Sequence, residues 1–177
     1  MMKKVDVKDN FLDDSEFTEI LDVFLDYSFP WYFGDVVDPE DKLSYTSDLD
    51  NIQMYHMLYS YDKPQSPPFL KMNHILKKLS VIDKFVSLYR MKVNLNQRTS
   101  KIIEHGFHND VKFKCRTGIL YLNSNDGYTM FEDGTKIESI KNRFVSFDSD
   151  LRHSGTTCTN QKRRMVMNIN YFQETYK

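Results

Sequence analysis

Three residues in the C-terminal half of the chain have the types needed to hold a metal ion, namely His108, Asp110 and His153. Only Asn109 separates His108 from Asp110, and residues two apart in an extended segment point the same way, so this pair can present two ligands together. His153 lies on a later segment that can return beside them. Two imidazoles and one carboxylate on one face of Fe(II) leave its other coordination positions open. The pattern therefore predicts a mononuclear iron site, although an HxD pair alone arises more often from polar residues flanking a strand.

The segments that would position these ligands are short strands. Alternating apolar and polar residues predict strands at 87–96, 112–123, 128–132, 143–149 and 164–172. Turn-forming clusters at 123–127 and 133–134 separate them. The HxD pair precedes the second of these strands, and His153 follows the fourth.

The N-terminal part shows two helical stripes. Apolar residues recur at helical spacing between about Asp14 and Tyr27, and Asp13 followed by Glu16 has the spacing of a capping pair. A second stripe follows a proline pair and consists of Phe69, Met72, Ile75, Leu76 and Leu79.

The two helical stripes are separated by a mixed segment. Residues 31–50 are irregular and polar, apart from three aromatic residues at 31–33 that could line an entrance or belong to the core. Residues 52–61 alternate and predict a strand. Helices followed by a run of short strands indicate an α+β domain, in which a sandwich or barrel is backed by helices on one sheet.

Length and composition narrow the class further. The 177 residues fit one domain, and 24 basic residues against 25 acidic ones provide no net field for nucleic acid or an anionic membrane. Cys115 and Cys158 are expected to be reduced thiols. Neither a secretory leader nor a membrane-spanning run is evident, so we expect a cytoplasmic protein, in the host cytoplasm if a bacteriophage encodes it.

Five segments together resemble a known family. They are HND (108–110), GILYLN (118–123), YTMFEDG (128–134) after a glycine turn, RFVSFDSDLRHSG (143–155) and RMVMNINYF (164–172). Their order is similar to that of 2-oxoglutarate/Fe(II)-dependent dioxygenases, especially the prolyl-4-hydroxylase-like branch and its short stand-alone bacteriophage and marine bacterial members. The resemblance implies a double-stranded β-helix (a jelly-roll, cupin-like barrel) with N-terminal helices packed on one sheet. Residues 1–177 would form a single oxygenase domain, with 1–84 a mainly helical supporting lobe and 85–177 the jelly-roll core that carries the metal site.

The resemblance also assigns roles to residues. It implies that His108, Asp110 and His153 are the iron ligands. The family places a basic residue at the start of the strand after the second histidine, where it pairs with the distal carboxylate of 2-oxoglutarate. Arg163 and Arg164 compete for this role, and we prefer Arg164 because its side of the strand continues with Val166, Asn168 and Asn170 as a pocket wall.

Further pocket positions are less clearly matched. Tyr121 corresponds to a position where related enzymes place a hydroxyl near the same carboxylate, but an ordinary sheet tyrosine is an equal alternative. The pocket tyrosine that the family often carries before HxD is replaced by Asn94 or Tyr89. His105 lies close to the HxD pair in sequence and is expected to be exposed to solvent.

The implied activity is an Fe(II)- and 2-oxoglutarate-dependent dioxygenase. It would use O2 to hydroxylate a C–H bond of a peptidyl residue, such as proline, or of a small molecule, releasing succinate and CO2. One alternative is a nucleic-acid-directed oxygenase of the same fold. The stretch MVMNIN lacks the second arginine of the nucleic-acid-repair branch, which argues against demethylation. The other alternative is a non-catalytic metal-binding barrel. The substrate and the oligomeric state are not indicated by the sequence.

Overall fold

Antiparallel β-sheet is the main regular structure of the computed structural model, which describes residues 5–36 and 51–174. The strands are β1 (Asp6–Lys8), β2 (Tyr32–Gly34), β3 (Gln53–Ser60), β4 (Lys63–Pro64), β5 (Phe85–Gln97), β6 (Arg116–Tyr121), β7 (Tyr128–Phe131), β8 (Lys136–Glu138), β9 (Phe144–Asp148), β10 (His153–Gly155) and β11 (Arg163–Gln173). The helices in the described part of the chain are α1 (Asp14–Leu25), a 3-10 helix (Pro67–Met72) and α2 (Asn73–Ile82).

The strands form two sheets. The larger sheet has the order β1-β9-β6-β11-β5-β3-β2, with β4 added beside β3, and the smaller has the order β10-β7-β8. A small apolar cluster lies between them, where Phe131 of the smaller sheet meets Phe147 of the larger at a ring separation of 4.9 Å. The predicted double-stranded β-helix is confirmed.

The helices cover the other face of the larger sheet. Phe17, Ile20 and Phe24 of α1 share one buried cluster with Ile75 and Leu79 of α2. The same cluster includes the side chains that β5 and β11 direct toward the helices, so the main apolar core lies between helices and sheet. At the start of α1 the carboxylate of Glu16 accepts a hydrogen bond from the backbone N–H of Asp13 at 3.3 Å, as their spacing predicts. None of the described helices has the length and apolar character needed to cross a membrane.

Several element boundaries differ from the sequence prediction. The segment 31–50 was expected to be irregular, but Tyr32–Gly34 forms β2 on the edge of the larger sheet; 37–50 lie outside the described residues. The strand predicted at 112–123 begins only at Arg116. The N-terminal 84 residues contribute strands β1 to β4 to the larger sheet in addition to the helices. Strands of two or three residues are too short for the two-residue alternation of a strand to be recognised in the sequence. They form because a neighbouring strand pairs with them.

Candidate metal centre and the pocket around it

The floor of the candidate site is the ladder between β5 and β11. The two strands pair so that mostly polar residues share one side, in the pairs Asn96–Arg164, Asn94–Val166, Lys92–Asn168 and Arg90–Asn170, of which only Val166 is apolar. The intervening residues of both strands point into the main apolar core. Because side chains alternate between faces, one pair of strands builds the core with one face and a polar pocket with the other.

The three predicted metal ligands meet above this floor. His108 and His153 exchange two backbone hydrogen bonds, His108 N to His153 O at 3.0 Å and His153 N to His108 O at 3.1 Å. This bridge holds the two imidazoles side by side, with ring centroids 4.9 Å apart. One ligand atom from each of His108, Asp110 and His153 lies within 4.8 Å of the others.

The hydrogen bonds of the imidazoles determine which nitrogen is available. Nδ1 of His108 lies 3.0 Å from the carbonyl oxygen of Gly106, and Nδ1 of His153 lies 3.3 Å from that of Leu151. A carbonyl oxygen only accepts, so each Nδ1 carries the proton. Each Nε2 therefore keeps its lone pair for a cation, an arrangement that orients metal-bound histidines. Burial, with the neighbouring His108, lowers the pKa of His153 to about 4, and this keeps the imidazole neutral near pH 7.

Asp110 is a buried carboxylate with one oxygen paired and one free. Its Oδ1 accepts a hydrogen bond from Nη2 of Arg90 at 2.8 Å and a longer one from Nδ2 of Asn168 at 3.4 Å. Its Oδ2 is buried without a hydrogen-bond partner, 3.8 Å from Nε2 of His153. Burial alone would raise the pKa of Asp110, but the charge of Arg90 and the two imidazoles hold it below its usual range. An unpaired buried oxygen on an ionised carboxylate fits a bound cation.

Arg164 lies in the same pocket and is almost fully buried, with 2% of its surface exposed. Its Nε donates to Oγ of Ser139 at 2.8 Å and its Nη2 to Oγ1 of Thr129 at 3.1 Å. Within the described part of the chain no carboxylate pairs with this guanidinium. Its Nη1 makes a longer contact of 3.5 Å with the carbonyl oxygen of Thr156. A buried guanidinium held only by neutral oxygens fits an incoming carboxylate, which its planar fork can bind through two hydrogen bonds. Arg163, in contrast, is partly exposed and does not line the pocket.

A glycine allows the Arg164 side chain to reach this position. A β-carbon at Gly127 would lie 2.5 Å from the carbonyl oxygen of Thr157 and 2.7 Å from Cδ of Arg164. Both distances are far below van der Waals contact, so a larger residue would displace the guanidinium or the turn.

The two remaining sequence-predicted positions differ in their placement. Tyr121 is fully buried beside Arg164, whose guanidinium carbon lies 5.7 Å from the centre of the tyrosine ring, and its hydroxyl donates to Thr129 at 2.8 Å. Asn94 lines the pocket, whereas Tyr89 is 38% exposed and packs against Phe113 outside it.

Other pocket residues were not singled out from the sequence. Lys92 and Asn96 line the pocket, and Arg90 borders it through its hydrogen bond to Asp110. All three share the face of β5 that carries Asn94, and the alternation within 87–96 could have identified them. The expectation that His105 is exposed is wrong, since it is 6% exposed. Its backbone N–H bonds to the carbonyl oxygen of Gly155 at 3.0 Å, which draws this segment against β10.

The fold is that of prolyl hydroxylases and other 2-oxoglutarate–Fe(II) oxygenases. A prolyl hydroxylase from Trichoplax adhaerens, in complex with a hypoxia-inducible-factor oxygen-degradation-domain peptide, is 15% identical with a TM-score of 0.68, over 97% of this chain and 84% of that one. The viral collagen prolyl hydroxylase of Paramecium Bursaria Chlorella virus-1, in complex with 2-oxoglutarate, is 15% identical with a TM-score of 0.58, over 96% of both chains.

A third structure extends the range of chemistry on this fold. The non-haem alpha-ketoglutarate-dependent epimerase of nogalamycin biosynthesis is 12% identical with a TM-score of 0.67, over 97% of this chain and 78% of that one. No protein-family model matches the sequence, and the search of curated proteins found no match. At these identities the likeness establishes the fold, while the reaction has to be argued from the site.

Proposed function

We propose that this chain is an Fe(II)- and 2-oxoglutarate-dependent dioxygenase that hydroxylates a C–H bond of a peptidyl residue, such as proline, or of a small molecule. Succinate and CO2 are the proposed co-products, and residues 1–177 act as a single oxygenase domain. The observation that carries the proposal is one pocket that holds both the His-Asp-His triad and the buried, acid-free guanidinium of Arg164. A metal site alone would not require this second feature.

The pocket has two parts, one that would bind the metal and one that would bind the distal carboxylate of 2-oxoglutarate. Nε2 of His108, Oδ2 of Asp110 and Nε2 of His153 would hold the iron, because these are the atoms that their hydrogen bonds leave available. Bound Fe(II) with 2-oxoglutarate and O2 supplies an oxidant for C–H bonds, driven by oxidative decarboxylation of the cosubstrate. Arg164 would bind the distal carboxylate of 2-oxoglutarate. The ring of Tyr121 would hold the guanidinium in position through a cation–π contact.

The asparagines of the floor would complete the binding surface. Oδ1 of Asn94, Asn96 and Asn168 is in each case buried with no hydrogen-bond partner. Such atoms are costly unless a ligand or water satisfies them, so they support a pocket built to be filled. We propose Asn94 as a cosubstrate contact, because it lies between the position of Arg164 and that of Asp110 along the floor.

A groove beside the metal pocket offers room for part of a peptidyl or small-molecule substrate. It has a volume of about 190 Å³, shares Gln53 with the metal pocket, and is lined in part by Phe33, Met54 and Leu95. The Trichoplax prolyl hydroxylase binds a peptide on this fold, which supports a peptidyl substrate. The epimerase of nogalamycin biosynthesis has the same fold, which supports a small-molecule substrate as the alternative.

The test is the visible spectrum of the protein loaded with Fe(II) without oxygen and titrated with 2-oxoglutarate. We expect a weak metal-to-ligand charge-transfer band that is absent from Asp110→Ala and needs far more 2-oxoglutarate in Arg164→Met. Arg163→Met is the matched control and should behave as the wild type. Bound iron without the band would overturn the proposal and leave a metal-binding barrel. Succinate formation, measured with oxygen present, then checks turnover.

A further inference from the structure

The charges of the metal pocket do not balance. Within the described residues that line or border it, Asp110 is the single acid, whereas Arg90, Lys92 and Arg164 are cations. Arg90 is neutralised by its ion pair with Asp110 at 2.8 Å. Under the proposed function Arg164 is taken by the distal carboxylate of 2-oxoglutarate, and the proximal carboxylate binds the metal. Lys92 is then left as a cation without an assigned partner.

Lys92 is placed to meet a ligand. It projects from β5 opposite Asn168 and contributes to the pocket wall. Among the described residues, its Nζ makes neither a hydrogen bond nor an ion pair, and its contact is with the ring of Tyr55, 5.5 Å from the ring centre. Burial and the charge of Arg90 lower the pKa of Lys92 to about 8, against the opposing attraction of the Asp110 carboxylate. Keeping such a cation partly buried without a hydrogen bond or an ion pair is costly.

The position of Lys92 separates it from the cosubstrate anchor. Arg164 is paired with Asn96 and Lys92 lies four residues earlier on β5, so their backbones are about 13 Å apart at 3.3 Å per residue. Asp110 bonds to Asn168, the cross-strand partner of Lys92. Lys92 therefore lies level with the metal ligands along β5, beside the metal centre and remote from Arg164.

We propose that Lys92 binds a carboxylate of the substrate to be oxidised, so that the substrate is an anionic molecule or an acidic peptide whose carboxylate lies near the reacting C–H bond. This inference rests on the proposed function and specifies its substrate class. A cation–carboxylate hydrogen bond in a partly buried pocket contributes enough to distinguish an acid from its amide by about tenfold to a hundredfold in affinity.

Matched acid and amide probes test this assignment. The pairs are N-acetyl-L-proline with N-acetyl-L-prolinamide, and N-acetyl-L-aspartate with its diamide, N-acetyl-L-asparaginamide. Each is titrated without oxygen into protein loaded with Fe(II) and 2-oxoglutarate, and the shift of the charge-transfer band gives the dissociation constant. We expect at least one acid to bind about ten times more tightly than its amide, a preference lost in Lys92→Gln and kept in Lys92→Arg. Lys77→Gln, on the exposed surface of α2, is the matched control.

The other outcomes each decide the question. Equal responses to acid and amide, including no response to either, would overturn the assignment. A loss of 2-oxoglutarate affinity in Lys92→Gln measured without probe would also overturn it, because Lys92 would then serve the cosubstrate. If the wild type forms no band with Fe(II) and 2-oxoglutarate, the proposed function falls and this inference with it. A normal band without acid preference removes only the inference. Thermal unfolding of the Lys92 variants verifies that they fold.

Discussion

The two faces of the β5–β11 ladder differ sharply although alternating residues of the same two strands build both. Met91, Val93, Met167 and Ile169 point to the helices and are fully buried among apolar side chains. The opposite face carries the charged and amide side chains of the pocket, several with unpaired polar atoms.

Because of this difference, each strand contributes to stability through one face and to ligand binding through the other. The apolar face gains free energy from burial, at about 25 cal/mol per Å² of apolar surface. The polar face costs free energy, since its buried donors and acceptors are only partly paired. The core face therefore holds the strands in place while the pocket face keeps groups poised for a ligand, and substitutions on the two faces should affect different measurements.

The largest effect on iron binding is expected from Asp110→Ala, which removes the carboxylate ligand from the pocket face and should abolish the site. In the wild type, Fe(II) at a hundred times its dissociation constant should stabilise the fold by about 2.7 kcal/mol. For a domain of this size that raises Tm by about 5–10 °C. Asp110→Ala should show no such rise in anaerobic thermal unfolding. A variant that still gains stability from iron would show that the triad is not the metal site.

A substitution on the core face should lower the stability of the fold and leave iron binding unchanged. Met167→Ala removes a fully buried side chain and should lower the free energy of unfolding by about 2–5 kcal/mol, measured by urea denaturation. Its iron affinity, measured at a temperature where it is folded, should match the wild type. Val86→Ala, on the same ladder but 60% exposed, is the control and should change stability by less than about 0.5 kcal/mol. Loss of iron binding in folded Met167→Ala would mean that the faces are coupled.

Arg164→Met tests the part of the pocket face that is proposed to bind the distal carboxylate of 2-oxoglutarate. Removing one partner of a buried charged pair costs about 2–5 kcal/mol, so the affinity for 2-oxoglutarate should fall by about thirtyfold to several thousandfold. Iron binding should persist, because the hydrogen bonds of Arg164 go to two hydroxyl groups and a backbone carbonyl oxygen and not to the triad. The measurement is the half-saturation of the charge-transfer band. If Arg163→Met weakens 2-oxoglutarate instead, the choice between the two arginines is reversed.

Arg90→Gln should have the smallest effect. Glutamine keeps a hydrogen-bond donor near Asp110 but removes the charge that orients its Oδ1. Loss of such a supporting partner typically lowers metal affinity about 10- to 100-fold. Competition with a chelator of known affinity measures this change. Arg143→Gln, which breaks an ion pair with Asp9 outside the pocket, should leave iron affinity unchanged.

Much of the fold and part of the candidate site could be predicted from local sequence patterns. The helical stripe of α1 and the long alternations of β5 and β11 carry enough residues for their periods to be recognised, and those elements form close to where they were predicted. The types and order of His108, Asp110 and His153 indicated a metal site, and the structure brings these three side chains together. The short strands β1, β2 and β10 were missed because three residues contain no measurable period.

What the sequence by itself determined was the set of donors and the alternation that places polar residues on one face of each long strand. The tertiary structure alone decided which of them meet. Arg90 reaches Asp110 only because β5 and the 108–110 segment are brought together, and Arg164, rather than its neighbour, enters the pocket because the register with Asn96 turns it inward. The unpaired cation at Lys92 is equally invisible in the sequence. Charge balance in a pocket depends on contacts between residues far apart in the chain, and local spacing carries no information about them.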